Sequence, residues 1–78
     1  MRKRSVILQG HPTSVSLEDQ YWAELKRMAA QSEMTVAALV ERVDRERQES
    51  NLSSALRIAV LQDLQARLAI LERAASEP

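Results

Sequence analysis

Seventy-eight residues allow one small domain over 1–78, and with no cysteine and one histidine the chain has neither disulfides nor a metal cluster to staple it. Hydrophobic residues make up 45% against one Gly and two Pro, which excludes a disordered tail, and no apolar run approaches the roughly 18–20 residues that span a bilayer. The formal charge is zero but uneven: residues 1–17 hold Arg2, Lys3 and Arg4 with no acid, whereas residues 18–78 hold the other eight Lys and Arg against all eleven Asp and Glu.

The first seventeen residues are β-branched and hydroxyl-rich. Thr13, Val15 and Leu17 alternate with Ser14 and Ser16, which predicts a half-buried strand over 13–17. Ser5-Val6-Ile7-Leu8 is a weaker strand signal, and Gly10-His11-Pro12 marks a break between the two runs. Residues 1–12 are therefore either a basic N-terminal arm or an extra strand folded back as a hairpin. Val6-Ile7-Leu8 is too short for the apolar stretch of a secretory signal, about 7–15 residues, so a cytoplasmic location is expected.

From Glu18 the period becomes helical. Tyr21, Trp22, Leu25, Met28 and Ala29 share one face of a helix expected over 19–31. Thr35 stands where an N-cap belongs, ahead of Val36, Leu39, Val40 and Val43, which predicts a second helix over 35–48. Opposite charges four apart (Glu41 and Arg45, Arg42 and Glu46, Arg45 and Glu49) read as its solvated face. Asn51 caps a third helix over 52–75, in whose first turn Ser53 and Ser54 read as capping hydroxyls. Leu61, Leu64, Leu68 and Leu71 are spaced 3, 4, 3, a coiled-coil-like seam open to a second dimer or a partner helix. Only Ser76-Glu77-Pro78 reads as frayed. An apolar-rich chain without staples is expected to find its missing core in another copy of itself.

Short strand, helix and Thr-capped helix, in that order from Thr13 to Val43, resemble the ribbon-helix-helix superfamily of bacterial DNA-binding proteins. KRSV at 3–6, GH at 10–11, TSVSLE at 13–18, YW at 21–22 followed by Leu25, and NLSSALR at 51–57 resemble one small bacterial subfamily of it. The resemblance implies an α+β fold, mainly α with a short β ribbon, built as an intertwined homodimer with an extended third helix. Each chain would give one strand to an intermolecular ribbon, with Val15, Leu17, Tyr21, Trp22, Leu25, Leu39, Val40 and Val43 in the dimer core. It also implies double-stranded DNA as the partner. Pro12, Ser14 and Ser16 would face the major groove, and the helix start at Thr35, Val36 and Ala37 would meet a phosphate.

The basic residues Arg2, Lys3 and Arg4 add phosphate contacts to that expectation, and His11 offers one more. Two folded-back hairpins would make a four-stranded sheet about 14 Å across, wider than a major groove of about 12 Å, and such a ribbon could not insert. The expected function is a dimeric regulator of transcription or accessory nucleoid factor held mainly by phosphate contacts. The alternative is a dimerisation module whose partner is a protein. No positioned nucleophile or acid/base pair points to an enzyme, and no cofactor, metal or membrane partner is expected.

Overall fold

A computed structural model describes residues 1–48 and 50–76. Strand β1, Arg2–Leu8, turns back into β2, His11–Leu17, and three helices follow: α1 over Asp19–Gln31, α2 over Val36–Glu46 and α3 over Leu52–Ser76. The two strands pair antiparallel with Leu8 opposite His11 and Arg2 opposite Leu17. Residues 2–8 thus form a hairpin strand rather than an arm.

The hairpin turn lies one residue earlier than the expected break. Gln9 and Gly10 are its two central residues, at φ +51° and +81°, the pair of positive values that a type I′ turn needs to match the twist of its strands. Gln is an unusual residue for that position, which is why the turn was not legible. Pro12 falls opposite Ile7, one step from the closing pair, where the backbone nitrogen points away from β1. The strand therefore loses no ladder bond there. His11 accordingly opens β2 as an exposed strand residue rather than sitting in the turn.

Alternation divides the hairpin into two faces. Val6, Leu8, Val15 and Leu17 point inward and are buried, while Lys3, Ser5, Ile7, Pro12 and Ser14 point outward and are exposed, with half-buried Ser16 beside them. The inward face joins Trp22, Leu25, Met28 and Ala29 of α1, Leu39 and Val40 of α2, and Leu56 and Val60 of α3 in one cluster. Each fully buried leucine there contributes about 1.5–3 kcal/mol. Val15, Leu17, Trp22, Leu25, Leu39 and Val40, all expected in a core shared between two chains, are buried within one chain. Strand β1 and the first half of α3 supply the cover. Val43 is only half-buried, on the groove between α2 and α3.

Local sequence sets the helix ends. Thr35 Oγ1 accepts from the Ala38 N–H at 3.0 Å and starts α2. Helix α1 closes with a left-handed residue at Glu33, φ +54°, where the Met34 N–H reaches the Ala29 carbonyl at 2.9 Å and the Glu33 N–H reaches Ala30 at 3.2 Å. Helix α2 stops at Glu46, short of the expected 48, because Arg47 turns extended and ties Asp44 (2.8 Å) to the Ser50 carbonyl (2.6 Å). The expected Arg45–Glu49 pair and the end at Glu77 and Pro78 lie outside the described residues. Asn51 Oδ1 accepts from the Ser54 N–H at 3.0 Å and starts α3, a helix of 25 residues and about 37 Å. Among the described residues, no helix is long and apolar enough to cross a membrane.

Candidate nucleic-acid interface

The three basic residues of the N-terminus do not form one patch, because strand alternation sends them to opposite faces. Arg4 points inward, opposite Val15, and its guanidinium lies 4.8 Å from the centre of the Trp22 ring, with Nη2 3.6 Å from Asp19. Its Nε is buried without a hydrogen-bond partner. Arg2 shares that face and approaches the same carboxylate at 3.7 Å, although its side chain is well exposed. Lys3 alone points outward, opposite Ser16. Asp19 thus offsets charge on the inner face and leaves the outer face basic.

The outward face is short-chained and polar toward one end. Lys3, Ser14 and Ser16 border a shallow concavity of about 480 Å³ whose far wall is the start of α3, at Asn51, Ser53, Ser54 and Arg57. Ser53, expected to cap its helix, instead accepts the Ser16 N–H on its Oγ at 3.2 Å. Arg57 reaches the Ser16 carbonyl at 3.4 Å and the Glu18 carboxylate at 3.0 Å, and packs its guanidinium 5.8 Å from the Tyr21 ring centre. One end of the outer edge of β2 is therefore closed by α3 of the same chain, and Ser14 lies next along that edge.

Glu18 illustrates how the site is wired. It precedes α1 as N-cap but makes no side-chain cap bond, because its carboxylate is turned toward Arg57. Its own backbone N–H first, and the Arg57 guanidinium second, hold its pKa below the ordinary glutamate value. Between α1 and α3 Arg27 bridges Glu24 at 2.7 Å and Asp63 at 2.6 Å, and its hydrogen bonds, to Asp63 first and Glu24 second, raise its pKa above the usual arginine value. Sequence spacing had signalled neither cross-element pair, since the partners are 39 and 36 residues apart.

Thr35 is exposed at the start of α2, whose first turn carries no acid, so its leading N–H groups are electrostatically open to an anion. His11 is exposed at the turn end of β2. Of the expected nucleic-acid residues, Lys3, Ser14 and Ser16 lie together, Arg2 and Arg4 lie on the other face, and His11 sits at the far end of the strand.

A β hairpin leading into a helix, then into a Thr-capped second helix, is the framework of a ribbon-helix-helix protein, a class that is typically DNA-binding and not enzymatic. The chain belongs to the ribbon-helix-helix domain family, whose sequence profile matches residues 1–64. It is also similar to the solved structure of an uncharacterized protein from Bordetella pertussis Tohama I, at 38% identity and a TM-score of 0.67. That likeness covers 85% of this chain and 58% of the other, so the chain spans little more than half of the other protein's length. No curated protein matches it.

Proposed function

We propose that the protein is a dimeric DNA-binding protein, a regulator of transcription or an accessory nucleoid factor, that holds the duplex by its phosphates. The observation that carries this reading is the outward face of the hairpin in a ribbon-helix-helix framework: Lys3 with the hydroxyls of Ser14 and Ser16, and no acidic side chain on either strand. The open N-terminus of α2 at Thr35 adds a second phosphate contact.

The geometry also limits the mode of binding. With β1 beside β2, a dimer joined along the β2 edge carries four strands, about 14 Å before side chains, against a groove of about 12 Å. The sheet therefore rests across the backbones flanking the groove instead of inserting. Ser14 and Ser16 make single hydrogen bonds, not the bidentate contacts by which Arg reads guanine, so sequence discrimination is weak. Titration into random-sequence duplex DNA at low and near-physiological salt tests the reading. Affinity that falls steeply with salt supports it, and no binding at low salt contradicts it.

A second reading rests on a separate observation. Leu61, Leu64, Leu68 and Leu71 are all exposed. Under this alternative the scaffold serves protein association and does not engage DNA. Failure to bind DNA, together with a stable protein complex, would favour it.

A further inference from the structure

Helix α3 leads two lives. Its first half is held to the core through Ala55, Leu56 and Val60, and its last buried residue is Val60. Beyond that point the helix runs on for about four turns with its leucines in water: Leu61 is 52% exposed, Leu64 42%, Leu68 55% and Leu71 66%. The molecule is correspondingly drawn out to 51 Å by 24 Å by 23 Å. A surface helix normally turns its apolar stripe to its own core. This stripe begins where the core ends, and at about 100° per residue it lies a little under a quarter of a turn away from the line through Leu56 and Val60. The family match ends at residue 64, so most of the stripe lies outside the shared domain.

We propose that the segment from Leu61 to Ala75 pairs with the same segment of a second copy of this chain, as a parallel, in-register two-stranded coil. Two features select that occupant. The spacing Leu61, Leu64, Leu68, Leu71, Ala75 is the alternating 3 and 4 of a seam that meshes with its own copy. The charges beside it then select the direction. Arg67 and Glu72 flank the seam on opposite sides and are five residues apart, the offset that brings them together across a parallel pair, twice by symmetry. An antiparallel pair that sets Leu61 against Leu71 would instead bring Arg67 close to its own copy.

Two heptads are too few to pair from an unfolded state. Here the cost of nucleating the helix is already met, because the first half of α3 is folded onto the core. The network of Arg27, Asp63 and Arg67, with Arg27 to Asp63 at 2.6 Å and Arg67 to Asp63 at 3.5 Å, steadies the helix where it leaves the body. The Arg67 side chain remains 41% exposed, within reach of a second helix.

The test is the mass of the full chain in solution at tens of micromolar, by light scattering, for the wild type and for Leu64→Asp with Leu68→Asp. Both leucines are exposed, so the core is untouched, and emission from the single buried Trp22 reports that the fold persists. The expected result is a twofold fall in mass, because the coil joins chains that the β2 edges do not: four chains become two where the β2 edges pair, and two become one where they do not. Two further variants fix direction, since the chain has no cysteine. Leu61→Cys and Leu71→Cys should each oxidise to a disulfide-linked dimer by itself, because both ends of a parallel pair meet their own copies. In an antiparallel pair those sulfurs lie about 15 Å apart along the axis, beyond the reach of a disulfide, and only a mixture of the two variants would crosslink. A charge swap gives the third readout: Arg67→Glu and Glu72→Arg each weaken association, and the double variant restores it. A wild type with the mass of one chain, a mass unchanged by the two aspartates, or crosslinks formed only in the mixture would overturn the proposal. None of these readouts depends on DNA binding.

Discussion

Arg4 is the residue where charge and packing diverge. Stacked on Trp22 and half-buried, it acts as a cover for the aromatic ring and not as a surface cation. Arg4→Ala is expected to lower stability by about 1 kcal/mol, the range of a partly desolvated cation–π contact, as read by urea unfolding of Trp22. Glu33 stores strain of similar size, since a non-glycine residue at φ +54° ends α1. Glu33→Gly should raise stability by up to about 1 kcal/mol in the same assay, and a loss would mean that the carboxylate has an unrecognised partner. Glu18 links stability to pH. Its folded pKa is lowered, so its contribution is present above the ordinary glutamate value and is lost as pH falls through the lowered one. Glu18→Gln should flatten that acid limb of a stability profile and leave neutral pH less affected.

At the scale of elements, the hairpin and the first half of α3 cover the residues expected in the dimer core within the single chain. The helices were legible, because periods of 3.6 and the caps Thr35 and Asn51 are local signals that packing here reinforces. The alternation of β2 was legible for the same reason. What escaped was non-local or atypical. Gln9 in a left-handed turn gives no sequence signal, and Pro12 reads as a breaker until the register shows its nitrogen facing outward. The basic residues could be named but not divided between faces before β1 was known to be a strand. Ser53 looked like a cap until the Ser16 N–H was found on its hydroxyl. Ser53→Ala therefore unties the β2 edge rather than the helix. The expected cost is about 0.5–1.5 kcal/mol with helix content unchanged by circular dichroism, whereas a fall in helicity would restore the capping role.

For the whole molecule, the arrangement separates three surfaces. The inner hairpin face belongs to the core, the outer face with Lys3 is free for a polyanion, and the far half of α3 carries apolar surface away from both. Strand alternation sends Lys3 and Arg4, neighbours of similar charge, to opposite faces, and the proposed function gives DNA binding to Lys3 and stability to Arg4. The direct measurement is a titration of fluorescent random-sequence duplex DNA with the wild type, Lys3→Ala and Arg4→Ala over a range of salt. Lys3→Ala is expected to remove most of the affinity and about two units of the logarithmic salt slope for a dimer, while folded Arg4→Ala binds as the wild type does. Equal losses from both variants, or binding indifferent to Lys3, would contradict it.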